Sequence, residues 1–196
     1  PQAEQHFRIA QIRQGYSFQS YSGQENNLHL GRLLTRYGQL DEAKQIIRST
    51  LTVTGQKGMM LLHTQALLAD GLIDLSEQND VEAERKFALA IEIAQEKGMV
   101  QEIAWGKFRL AILAFSQHRY VEAERFVFEV INEARSLNLI LLTKYALELA
   151  ERLAKFITLQ ITPEELQSIK LSLVEKLMSY NPTEPLRQIF FSRQHL

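Results

Sequence analysis

Apolar residues recur along this chain at steps of three and four, as in Phe87, Ile91 and Ala94, or Phe126, Val130 and Ala134. That is the period of one face of an α-helix. The run STLTVT at 49–54 is β-branched, but it continues a helical pattern and reads as a helix end rather than a strand. Further on, Leu166, Ile169, Leu173 and Leu177 form one apolar stripe at helical spacing. Four prolines and nine glycines punctuate the chain, and the stretches between them are rich in Ala, Leu, Glu, Gln, Lys and Arg, the good helix formers. The pattern predicts an all-α fold.

The helices are also written in a fixed register. VEAERKF at 81–87 returns as VEAERFV at 121–127, and DEAKQII stands at 41–47 and QAEQHFR at 2–8, which aligns Ala3, Ala43, Ala83 and Ala123. A period of this size is the signature of a stacked repeat. Twelve residues before the last three alanines stand Gly31, Gly71 and Ala111. Small side chains at both places let two antiparallel helices approach closely, so each unit reads as a helix pair. QKGMM at 56–60, EKGMV at 96–100 and SLNLI at 136–140 also align. Gly58, Gly98 and Asn138 then share one position, and Gly and Asn tolerate the left-handed conformation that ends a helix. Lys57 and Lys97 stand at the negative end of the helix dipole.

The expected order is the second helix of an incomplete unit at 1–14, three units near 23–57, 63–97 and 103–137, and a further first helix at 140–157. GYSFQSYSGQEN at 15–26 reads as a flexible connector. Pro163 then breaks the register. TPEE at 162–165 reads as a helix start, with Thr162 as N-cap, Pro163 in the first turn and two acids near the positive dipole end. The predicted organisation is a repeat array over 1–157 that starts in mid-repeat, a capping helix over 158–180, and a linker with a short tail over 181–196.

The small-residue pattern resembles the tetratricopeptide repeat (TPR) family. It is carried by Gly31, Gly38 and Ala43, by Gly71, Ala83, Phe87 and Ala90, and by Ala111 with Ala123; YGQLDEA at 37–43 is the nearest match. The resemblance covers about 1–157. The period is 40 rather than 34, the proline that usually ends a repeat is absent, and Asn27, Leu67 and Lys107 replace the aromatic of the first helix. Long-period arrays of this kind are similar to those of MalT-type regulators and helical adaptor proteins. The resemblance implies a right-handed superhelical α-solenoid with first helices on its concave side. It implies a groove formed by Leu68, Leu72, Leu75, Trp105, Phe108, Ile112 and Phe115, with Arg32, Arg36 and Arg152 at its rim. The same apolar residues read equally well as interhelical core. The Lys/Asn set with which some family members hold a C-terminal carboxylate is not matched.

Composition narrows the function. The formal net charge is −1, so no overall field selects nucleic acid or an anionic membrane. No apolar run approaches the roughly 20 residues needed to span a bilayer. No signal peptide is visible, and a start at Pro1 is expected of a processed chain or a piece of a longer one. Cysteine is absent, which excludes disulfides and thiolate sites and fits a reducing, cytoplasmic setting. The five histidines, His6, His29, His63, His118 and His195, follow no metal-ligand spacing, and His118 reads as a solvated turn residue. GQKG at 55–58 lacks the ending and the preceding strand of a phosphate loop. Neither catalysis nor a cofactor is expected. The expected function is a protein-interaction module binding a peptide or partner helix; the alternative is a regulatory or sensor segment of a larger bacterial signalling or transcription regulator. Self-association through the array ends, or through the tail with Leu186, Ile189, Phe190 and Phe191, is a further expectation.

Overall fold

The computed structural model describes residues 19–179 together with Gln5 and Ile9. Among these residues all regular structure is helical. The order is α1 Tyr21–Arg36, α2 Leu40–Gln56, α3 Met60–Ser76, α4 Asp80–Glu96, α5 Val100–Ser116, α6 Tyr120–Ser136, α7 Ile140–Leu153 and α8 Pro163–Ser179. Gln5 and Ile9 are helical, but the expected helix at 1–14 otherwise lies outside the described residues, as do the linker and tail at 181–196.

One turn builds the whole row. Gly38, Gln78 and His118 within the pairs, and Gly58, Gly98 and Asn138 between them, all have positive φ, between 55° and 74°. At each, the left-handed residue donates its N–H three residues back and its successor donates five residues back, as in Gly98 to Gln95 O at 3.2 Å and Met99 to Ala94 O at 2.8 Å. This is the Schellman ending, which satisfies carbonyls that the helix itself leaves unpaired. Recurring every 20 residues, it makes helices of nearly equal length that reverse direction at each step.

The interfaces follow from side-chain size. A Cβ on Gly31 would stand 2.5 Å from Ile47 Cδ1, and one on Gly71 would stand 2.5 Å from Phe87 Cε1. These glycines are therefore contact points where one helix lies on its pair mate. Ala43, Ala83 and Ala123, the alanines of the repeat, are fully buried. Each helix packs on the next. First helices also approach first helices, α1 with α3, α3 with α5 and α5 with α7, whereas α2, α4 and α6 make no such approach to one another. The first helices thus form the tight side of the row. α3 and α5, enclosed by neighbours, are buried over most of their surface, while α2 and α6 bury a single face.

Both ends differ from expectation. The stretch at 15–26 is not connector throughout, because α1 already begins at Tyr21: Ser20 Oγ accepts from Gly23 N at 3.1 Å and caps it, and Gly23 and Gln24 are buried. The helix expected over 140–157 stops at Leu153, where the bonds tighten to three-residue steps at Lys155 and Phe156. The chain then crosses α6, with Gln160 N donating to Glu124 Oε1 at 2.6 Å. Thr162 opens α8 through a reciprocal box: Thr162 N donates to Glu165 Oε2 at 2.9 Å, and Glu165 N donates to Thr162 Oγ1 at 3.2 Å. α8 packs on α7 and sets Leu166, Ile169 and Leu173 against the core of the third pair.

Candidate functional site

Residues spaced by three and four along α3 and α5 reach the face that the first helices share. On α3 these are Gln65, Leu68, Leu72 and Leu75; on α5 they are Trp105, Phe108, Arg109, Ile112 and Phe115. Leu68 and Phe108 do not belong to an open groove. They are 5% and 1% exposed, because α3 and α5 are wedged between first-helix neighbours and their own pair mates. Phe108 is held at 6.3 Å, stacked on Tyr145 of α7, and at 6.2 Å, edge to face, by Trp105. Leu72, Leu75, Trp105, Ile112 and Phe115 remain half-buried, packed on the core below with part of each surface open.

A polar thread crosses this apolar face. Arg32 of α1 donates to the backbone oxygen of Gln65 at 3.4 Å, and Gln65 Nε2 donates to Glu102 Oε1 on α5 at 2.9 Å. Arg32 therefore does not stand at a rim; it is half-buried, reaching across to α3. Burial lowers its pKa below the ordinary arginine value, against the opposing pull of Glu102. Arg109 lies two turns beyond Glu102 on the same helix. Its guanidinium carbon is 5.5 Å from the Trp105 ring centre and 5.8 Å from that of Phe108. Burial first, and then the charge of Arg32, push its pKa down to about 10. Among the described residues it has no carboxylate partner.

The far end of the face is built differently. Arg152 lies 4.8 Å over the Phe115 ring. Phe115 also meets Tyr120 and Phe156, each at 5.8 Å, and those two rings stack at 4.8 Å. Phe115 is thus covered largely by its own chain. Arg36, at the end of α1, is exposed.

Arg109 escaped the sequence reading because the inward set was drawn through Trp105, Phe108 and Ile112. Its spacing of four from Trp105 was the available signal. Elsewhere, an open cleft of about 830 Å³ on the outer side of α6 is lined by His118, Arg119, Tyr120, Phe128 and Gln160 among others, but Arg119 is already paired with Glu84 and Glu122. Among the described residues no cluster of three His, Asp or Glu side chains is placed to hold a metal, and no helix is long and apolar enough to cross a membrane. No protein-family model matches the chain, and no curated protein matches it.

Proposed function

We propose that this chain is a protein-interaction module of the TPR-like kind, a right-handed superhelix of helix pairs that takes a peptide or partner helix along the face of its first helices. The observation that carries the reading is the half-buried apolar surface of Leu72, Leu75, Trp105 and Ile112 on the tight side of the row. A fold of this type does not specify its ligand, so the argument rests on the surface itself. Trp105 supplies large contact area at few rotatable bonds, which is why aromatic residues dominate the energetics of such surfaces. A chain without cysteine suits a reducing compartment, and the module is read as cytoplasmic.

The test is selection of displayed random dodecapeptides on the parent chain and on a Leu72→Ala, Trp105→Ala double variant that keeps the parent's helical circular dichroism. Peptides that bind the parent and lose at least tenfold on the variant support the reading. Peptides that bind both equally place recognition on another face.

A further inference from the structure

We infer that Arg109, assisted by Arg32, is the seat for a side-chain carboxylate of the bound segment, so that the partner is an acidic peptide whose apolar neighbour residue lies on Trp105 and Ile112. This rests on the interaction face proposed above and names what that face selects.

The geometry supplies the reason. The planar Arg109 guanidinium lies against the rings of Trp105 and Phe108, and among the described residues no ion pair occupies its N–H groups. Two parallel N–H groups in that plane match the two oxygens of a carboxylate. Arg32 makes a single long hydrogen bond, to a carbonyl that carries no net charge. Glu102 is the one acid in the thread, and it already accepts from Gln65. Arg32 therefore feels one carboxylate and Arg109 none, on a surface partly removed from water. Their lowered pKa values follow from that arrangement, burial being the larger cause for both and their mutual charge adding to it for Arg109. An incoming carboxylate would relieve that imbalance. The chain's own segment at 185–196 is the wrong occupant: it contains Arg187 and Arg193 and no acid.

The experiment begins with the peptides selected on the parent chain. One of them is synthesised with its acidic residue and with the amide isostere, Asp to Asn or Glu to Gln. Both are titrated against the full chain and read by the emission of Trp105, the only tryptophan. The acidic peptide is expected to bind tighter by about 10- to 100-fold, the range for a charge-assisted hydrogen bond. Arg109→Gln should abolish that preference and Arg32→Gln should reduce it. Arg48→Gln, on the exposed side of α2, should leave it intact. If Arg109→Gln fails to fold, Arg32→Gln carries the test. Equal binding of the acid and amide peptides overturns the carboxylate seat while the interaction face stands. An acid preference that survives in both folded arginine variants also overturns it. Failure to select any peptide that depends on Leu72 and Trp105 removes the interaction face itself.

Discussion

In the pair α3–α4, Lys86 stands between Asp70 and Asp74, with Nζ 2.5 Å from Asp70 Oδ2 and in direct contact with Asp74. Forty residues on, in α5–α6, the same three positions hold Phe126, Leu110 and Ala114. The third pair has its own lysine between two acids: Lys107 Nζ is 2.8 Å from Glu129 Oε2 and 2.5 Å from Glu133 Oε1. In the second pair those positions are Leu67, Leu89 and Ile93. One backbone thus holds the same kind of ionic triad at two different places, and each place carries apolar side chains in the other pair. What separates the two is water. The second-pair side chains are 10%, 6% and 5% exposed, whereas in the third pair Lys107 is 19% exposed and its acids 38% and 35%. In both, burial works to lower the lysine pKa, and hydrogen bonds to the two carboxylates outweigh it and leave the pKa raised.

The largest effect is expected of Lys86→Met. It leaves two carboxylates buried without a cation and should cost about 3–5 kcal/mol in urea denaturation. A lysine whose folded pKa lies above its unfolded one stabilises the fold below the unfolded value, and that contribution fades as pH rises through the folded value. The gap between parent and variant should therefore hold from neutral pH to about 9 and close only above the ordinary lysine value of 10.5. Installing the third pair's residues together, as Asp70→Leu, Asp74→Ala and Lys86→Phe, should be neutral or stabilising by up to about 4 kcal/mol. A large loss in that triple variant would show that the two pairs are not interchangeable.

A smaller effect is expected at the helix contact. Gly71 faces Phe87, while the third pair has Ala111 and Val127 at the corresponding positions. Gly71→Ala alone overpacks a buried ring. It should cost about 1–3 kcal/mol, less roughly 1 kcal/mol regained from helix propensity. Combined with Phe87→Val, the alanine should cost clearly less, a coupling that a double-mutant cycle measures. The smallest effect belongs to Lys107→Met, expected at about 1 kcal/mol or below because its partners are solvated. A loss as large as that of Lys86→Met would refute the role given to water.

The repeat was legible because it depends on residue size and backbone conformation, which sequence states directly. Gly58, Gly98 and Asn138 mark three of the turns by residue type, and all three have positive φ. Gln78 and His118 adopt the same conformation without the residue type that signals it, and only their place one and two repeats of 40 residues after Gly38 betrays them. The close approach at Gly31 and Gly71 and the N-cap at Thr162 could also be read directly. The face of the first helices was only half legible. The family resemblance implied Leu72, Trp105 and Ile112 there, but burial of Leu68 and Phe108 depends on how deeply α3 and α5 are wedged. That depth is a property of the packed row rather than of any one helix. The polar thread from Arg32 to Glu102 joins residues from three helices, and no local pattern brings them together. The ionic triad of the second pair did leave a trace: two aspartates four apart within the otherwise apolar ALLADGLIDL at 66–75.

Binding on the face of the first helices, as proposed above, can be tested on the full chain. The most direct measurement is a methyl NMR titration of the full chain with a selected acidic peptide. The methyl resonances of Leu72, Leu75 and Ile112 should shift in a saturable manner, while those of Val81 and Val121, exposed at the starts of the second helices α4 and α6, should stay in place. Shifts confined to Val81, Val121 and their neighbours, with Leu72 and Ile112 unmoved, would contradict it.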